Sequence, residues 1–331
     1  MTTTSYAFRS VLAGEIGRFL SHHRALGKRF DNEESALKLL DRFLFEHGVG
    51  SIPDITPLLL ETFLASRPRT RARSYNHLLS VLGRLFRWLV AQDVLAASPL
   101  QARPRRSTQR RTPFLFQPAQ VKRLLECAAS LRDYRSRGWH RGPTYRMIFA
   151  LMYGLGLRVG EVSRLCHKDL DPQRRCLHIR QTKFLKSRLV PFGPRMADAL
   201  DEYLRVRWSP ARPSPSDPLF TLTEHATAPI CPHSVSRTFQ RIVPELDLTV
   251  PAGVSAPRLH CLRHSFAVST LLGWYREGVN PGARLLHLST FLGHVNPAST
   301  AVYLTITAEL LEQANRRFER FAAPSLKGVR P

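Results

Sequence analysis

Thirteen residues near one third of the way along the chain limit how it can fold. QARPRRSTQRRTP, residues 101–113, carries five arginines and no apolar side chain beyond Ala102. A segment with nothing to bury cannot cross a hydrophobic core, so it reads as an exposed basic linker. The chain's 331 residues also exceed what one core usually organises. The expected organisation is therefore a helical domain over 1–102, a linker over 103–113 and a second domain over 114–331.

The first domain reads as short helices. Ile16, Phe19 and Leu20, then Leu37, Leu40 and Leu44, recur at three- and four-residue spacing, and Thr56-Pro57 marks a helix start before Leu58 to Leu64. From Arg73 to Val90 the two faces differ sharply. Leu78, Leu82, Leu85, Phe86 and Leu89 form an apolar stripe, whereas Arg73, His77, Ser80, Arg84 and Arg87 lie opposite. Arg67, Arg69, Arg71 and Arg73 precede the helix or open it, where backbone N–H groups also favour anions. One face packs; the other suits phosphates.

Charge agrees with that reading. Lys and Arg number 49 against 25 Asp and Glu, a formal net charge of +24, and binding a polyanion with release of its counterions is the usual use of such an excess. The expected partner is double-stranded DNA, with Arg67, Arg69, Arg71, Arg73, His77, Arg84, Arg87, Arg105, Arg106, Arg110 and Arg111 as candidate contacts. No apolar run approaches the roughly 20 residues that span a bilayer, and MTTTSYAFRS lacks the apolar core of a secretory signal. The expected location is the cytoplasm of a bacterium, on DNA. Cys127, Cys166, Cys176, Cys231 and Cys261 are odd in number and include no CxxC pair, so neither a disulfide framework nor a metal site is expected.

In the second domain Gln117-Pro118 starts a helix, and a strongly apolar helix from about Thr144 to Tyr153 is stopped by Gly154 and Gly156. Arg158 stands where the next helix begins. Leu177 and Ile179 alternate with polar residues, a polar turn spans Thr182 to Lys186, and Leu189, Val190 and Phe192 resume, which predicts a β-hairpin. Beyond about residue 195 the pattern is mainly helical. The fold class is mainly α with a small antiparallel sheet.

Four stretches then align in order: GLRVGEVSRL at 156–165, QTKFLKSRLVPF at 181–192, LHCLRHSFA at 259–267 and FLGHVNPASTAVY at 291–303. Together they resemble the catalytic domain of the tyrosine recombinases, or phage-type integrases, over everything from about residue 115, and the helical first domain is similar in size and character to that family's core DNA-binding domain. The resemblance matches the catalytic positions to Arg158, Lys183, His260, Arg263, His294 and Tyr303, with Glu161 the acidic residue after the first arginine; His264, beside them, reads as a structural or supporting histidine. It implies site-specific recombination in integration, excision, transposition or resolution, with a covalent 3′-phosphotyrosine link, a Holliday junction and a homotetramer on two DNA sites, alone or with sibling recombinases. It implies no cofactor.

The residue types suit that chemistry. In-line attack on a phosphodiester builds negative charge on the phosphoryl oxygens, and fixed cations reward it most in the transition state. Guanidinium forks on Arg158 and Arg263 can each grip two oxygens. His260 and Arg263, three apart on a helix, share a face, so His260 is placed to take the proton of Tyr303 while Arg263 holds phosphate. A phenol of pKa about 10 needs that help. The family assigns Lys183 as acid for the departing 5′-oxygen and His294 as a hydrogen-bond donor to the phosphate.

A type IB topoisomerase-like relaxing enzyme would use nearly the same residues, and a non-catalytic DNA-binding regulator could share the fold. His260 and His264 are four apart, a spacing that zinc pairs use, but the intervening Arg263 opposes a metal. Between Arg263 and His294 the chain is several residues longer than is usual, and Asn280-Pro281-Gly282 predicts a longer loop over 272–289. A final helix from Thr307 to Phe321, with Leu311, Ala314, Phe318 and Phe321 on one face, either packs on its own domain or is donated to a neighbouring protomer.

Overall fold

A computed structural model describes residues 6–106, 111–133, 140–180, 187–208, 213–222, 228–294, 296–305, 311–312 and 315–316. The expected lysine turn with Lys183, the linker residue Arg110 and the expected 307–321 helix as a unit lie outside the described residues. The chain divides into two compact units, Met1–Arg110 and Arg111–Pro331.

Among the described residues the first unit holds four α-helices: α1 Ala13–Ala25, α2 Asp31–Glu46, α3 Pro57–Ala65 and α4 Ala72–Ala91. Their apolar stripes meet in one core, where Ile16, Phe19, Leu37, Leu40, Leu44, Phe63, Leu82, Leu85, Phe86 and Leu89 are wholly buried. Each such side chain stabilises the fold by roughly 1.5–3 kcal/mol before entropy is counted. Thr56 caps α3 by accepting from the Leu59 N–H at 3.2 Å, with Pro57 at the first helical position. The buried Asp41 carboxylate accepts from the backbone N–H groups of Arg9 and Ser10 at 3.0 and 2.9 Å, which ties the N-terminal segment to α2.

The segment read as a free linker is fastened at both ends. Asn76 on α4 exchanges two hydrogen bonds of 2.8 Å with the backbone of Arg105, whose guanidinium lies 4.0 Å from the centre of the Tyr75 ring and donates to the Arg69 carbonyl at 2.7 Å. In the second unit Thr112 pairs with Val254. Linear sequence could not disclose these partners, because they come from residues far along the chain.

The second unit is built around α6, Arg141–Gly154. Its Ile148, Phe149 and Leu151 are fully buried, and it packs between α5 Pro118–Ala129, α8 Pro194–Trp208 and α10 Cys261–Arg276. The remaining helices are α7 Val159–Val162, α9 Pro232–Ile242, α11 Pro281–Leu292 and α12 Ala298–Ala301, the last followed by a 3-10 turn, Val302–Thr305. The expected hairpin is present as β2 Cys176–Ile179 and β3 Arg188–Pro191, antiparallel with Leu177 opposite Val190. A third strand, β1 Leu170–Asp171, extends the sheet in the order β1-β2-β3. Two residues are too few to show alternation, so the sequence carried no sign of it.

The expected loop over 272–289 is a correction. Trp274, Tyr275 and Arg276 belong to α10, and Asn280-Pro281-Gly282 opens α11: the Asn280 side chain accepts from the Gly282 N–H at 3.0 Å and Pro281 takes the first helical position. The additional residues therefore go into helix, leaving a short connection. The same Asn-Pro-Gly chemistry that marks a turn also makes a helix start, and only the chain beyond it decides which.

Candidate active site

Four elements converge on one cluster. Arg158 is the residue before α7, His260 the residue before α10, Arg263 and His264 lie in the first turn of α10, His294 follows α11, and Tyr303 lies in the 3-10 turn after α12. Two glycines make the convergence possible. Gly156 has φ +61°, and a Cβ there would lie 2.5 Å from the Phe266 ring; Gly293 has φ +67°, and a Cβ there would lie 2.7 Å from Arg188 Nη1. Both need the left-handed backbone and the absence of a side chain.

The carbonyls left open at the end of α11 organise the arginines. Arg263, wholly buried, donates from Nη1 to the Gly156 carbonyl at 2.6 Å and from Nη2 to the Leu292 carbonyl at 2.7 Å. Arg158 donates from Nη2 to the Gly293 carbonyl at 3.1 Å and from Nη1 to Glu161 Oε1 at 2.7 Å. The negative end of the helix dipole favours both. The Nε of Arg263 has no partner among the described residues. A buried guanidinium with an unmet donor is costly unless an acceptor arrives. Burial, with Arg158 beside it, pulls its pKa down to about 9, so the site is short of negative charge.

Glu161 is the buried carboxylate that pairs with two arginines of the cluster. Burial alone would raise its pKa, but the Arg188 guanidinium paired to it, and then Arg158, bring it down to about 2. Arg188 Nη1 and Nη2 reach its two oxygens at 3.1 and 3.0 Å, and Arg188 Nε donates to the Phe291 carbonyl at 2.7 Å. Nothing in the sequence spacing singled out Arg188, which stands at the start of the second strand of the hairpin. The demand of a buried carboxylate for cations was the one available signal.

The three imidazoles line the cluster in different ways. His294 Nδ1 hydrogen-bonds the Thr300 hydroxyl at 2.7 Å. His264 Nδ1 lies 2.8 Å from the Tyr303 hydroxyl. His260 opens to solvent on one edge and packs edge to face on His264, ring centres 4.6 Å apart. Desolvation first, and then the surrounding positive groups, hold all three near a pKa of about 4, so all are neutral at neutral pH. Tyr303 is itself buried, which raises its pKa, while Arg263 and Arg158 oppose the rise.

Thus Arg158, Glu161, His260, Arg263, His264, His294 and Tyr303, spread over more than a hundred residues, come together. In the first unit the expected basic face divides. Arg71, Arg73, His77, Arg87 and Arg106 are exposed, as is Arg111 at the start of the second unit, and Arg67 and Arg69 are half-buried. Arg84 departs from the expectation of a free cation: it pairs with Glu33 at 3.1 Å and lies 5.1 Å from the centre of the Phe30 ring. Arg105, fastened to Asn76 and Tyr75, is likewise committed on one side.

A mainly helical unit with a small antiparallel sheet gathers the guanidinia of Arg158, Arg188 and Arg263, three neutral imidazoles and a buried phenol into one cluster, the equipment of a phosphoryl-transfer protein. Residues 115–309 match the model of the phage integrase family. A putative integrase/recombinase, y4rB of Sinorhizobium fredii, is 33% identical over 312 residues, covering 92% of this chain and 96% of its own. The tyrosine recombinase XerC of Pediococcus pentosaceus is 25% identical over 314 residues, covering 92% and 97%. Among solved structures, a lambda integrase tetramer bound to a Holliday junction superposes with a TM-score of 0.63 at 18% identity, over 88% of this chain and 76% of that one. The chain belongs to the phage integrase family, the tyrosine recombinases, and is a site-specific recombinase that cuts and rejoins DNA.

Proposed function

We propose that Tyr303 is the nucleophile and forms a 3′-phosphotyrosine link with one strand of a double-stranded recombination site. The observation that carries this reading is the buried Arg263, whose Nε lacks an acceptor while its two other nitrogens are fixed by the Gly156 and Leu292 carbonyls. A phosphoryl oxygen meets that need, and charge developing on it in the transition state meets it better. Arg158 is the second cation on the phosphate and His294 donates a hydrogen bond to it. His260, at the open edge, is a second imidazole for phosphate or phenol. Glu161 holds the arginines in position. The family resemblance supplies Lys183 as the acid for the leaving 5′-oxygen.

The first helical region, 1–102, is the core DNA-binding domain in this reading, with 103–113 the basic connection and 114–331 the catalytic domain. Arg67, Arg69, Arg71, Arg73, His77 and Arg87 contact backbone phosphates; Arg105, Arg106, Arg110 and Arg111 continue the track, and Arg84 adds to it through its half-exposed edge. The working assembly is a homotetramer on two DNA sites, by analogy with the lambda integrase tetramer on a Holliday junction. Among the described residues no helix is long and apolar enough to cross a membrane, which suits a DNA-associated protein of the bacterial cytoplasm.

A nicked suicide substrate tests the reading, since loss of the short cleaved fragment traps the covalent link. Wild-type protein is expected to give a protein–DNA adduct and Tyr303→Phe none. An equal adduct from Tyr303→Phe would remove that residue from the role.

A further inference from the structure

His260 is the histidine that the sequence pointed to as the partner of Tyr303, but the tyrosine meets a different ring. The Tyr303 hydroxyl makes its one hydrogen bond among the described residues with Nδ1 of His264, at 2.8 Å. The two rings lie 5.5 Å apart, tilted by 58°. His264 is one turn along the chain from His260, so the two imidazoles pack edge to face and only the inner one reaches the phenol.

The charged and titratable groups facing His264 are His260 and Arg263 from its own helix, Tyr303 from the 3-10 turn, and His294 from the segment after α11. None is an anion. Burial and Arg263 keep His264 neutral at neutral pH, and a neutral imidazole has one bare nitrogen. With Nε2 carrying the proton, Nδ1 is free to accept from the phenol. Tyr303 sits 4% exposed, out of reach of bulk water as an acceptor.

We propose that His264 is the general base of strand cleavage, taking the phenolic proton of Tyr303 on Nδ1 as the tyrosine oxygen attacks phosphorus. The proposal rests on the reading of Tyr303 as nucleophile. In the step, the O–H bond of Tyr303 breaks and an N–H bond forms at Nδ1. The electron pair left on oxygen makes the new O–P bond. The P–O5′ bond breaks, and its electron pair takes a proton from the acid on the leaving side. An imidazolium remains at His264. Religation runs the same path backwards: the incoming 5′-hydroxyl attacks, the tyrosine oxygen departs, and His264 returns the proton to it. The negative phosphate enters beside His264, where none of the described groups facing it is an anion, and stabilises the imidazolium, so His264 gains basicity when substrate arrives.

Single-turnover cleavage of the nicked suicide substrate, using full-length protein, tests this with four proteins: wild type, His264→Ala, His264→Asn and His260→Ala. Asn preserves an acceptor near the Nδ1 position and cannot take up a proton. Each protein is prepared with ordinary tyrosine and with 3,5-difluorotyrosine at position 303, whose more acidic phenol needs less help from a base. Both His264 variants are expected to cleave about 10²–10⁴-fold more slowly, and the fluorinated tyrosine is expected to recover most of that loss in them and little in His260→Ala. Unchanged rates in the His264 variants overturn the proposal. So does a loss that fluorination does not relieve, which marks a structural role, or relief confined to His260→Ala. Adduct formation by Tyr303→Phe defeats the underlying reading instead, and is scored separately.

Discussion

Arg188 on β3 grips the buried carboxylate of Glu161 through two parallel N–H···O bonds of 3.1 and 3.0 Å, although 27 residues separate them. Glu161 also receives Arg158, so one carboxylate joins the sheet to the arginine of the cleft. Side-chain exposures of 9% and 2% make this a desolvated pair. Removing one partner strands the other.

Arg188→Ala is accordingly expected to destabilise the protein by on the order of 3–5 kcal/mol, and cleavage is expected to fall further than stability because Arg158 loses its fixed partner. Chemical denaturation with Arg188→Ala, Glu161→Gln and the double variant measures the coupling. A coupling energy below about 0.5 kcal/mol would show the two to be independent.

Gly293→Ala tests the left-handed turn at the end of α11. The new Cβ meets both an unfavourable φ and the Arg188 guanidinium. A stability loss of about 1–3 kcal/mol is expected from the backbone, with a drop in adduct formation as Arg188 and the Gly293 carbonyl move. Thermal unfolding and the suicide-substrate assay, run on the same preparation, separate the two effects.

Arg263→Lys keeps a charge but loses the fork that spans the Gly156 and Leu292 carbonyls. Cleavage is expected to fall by about 10²–10³-fold, the scale for loss of one preorganised transition-state donor, with DNA affinity much less affected. Single-turnover rates at saturating protein give the comparison; wild-type cleavage would exclude Arg263 from the chemistry.

Protonation provides a third kind of test. His264 and His294 have pKa values depressed from 6.5 to about 4, so between those values the unfolded chain binds more protons than the folded one, and stability falls as pH drops through that window. A bound phosphate raises these pKa values. DNA binding near pH 6 is therefore expected to take up protons, seen as a binding enthalpy that varies with the ionisation enthalpy of the buffer. Proton release would reverse the sign of the argument.

On the first unit, Arg73→Ala and Arg87→Ala are each expected to weaken binding to all sequences alike and to lower the slope of log K against log salt by about 1. Arg84→Ala should do less to that slope and more to stability, because its guanidinium packs on Phe30 and pairs with Glu33. Salt titrations of binding, paired with thermal unfolding, distinguish them.

The helices of both units were legible because each depends on a local period: Leu78, Leu82, Leu85 and Leu89 fall on one stripe whatever lies elsewhere. The motif residues Arg158, His260, Arg263, His294 and Tyr303 were legible by type, order and spacing. The direction of the chain after Asn280 was not, since Asn-Pro-Gly serves a turn and a helix start equally well. Nor was β1, two residues long.

By itself, then, the sequence determined the motif residue types that each segment carries and which stripes drive each unit to fold, since both follow from residue type at short spacing. Tertiary structure decided what those side chains touch. That Arg263 commits two nitrogens to Gly156 and Leu292, that Arg188 joins the neighbouring Arg158 on Glu161, and that Tyr303 meets His264 rather than His260 are contacts across 27 to 107 residues. No local pattern encodes them, because they depend on where the end of α11 lies against the start of α10, and that is fixed by the packing of the whole unit.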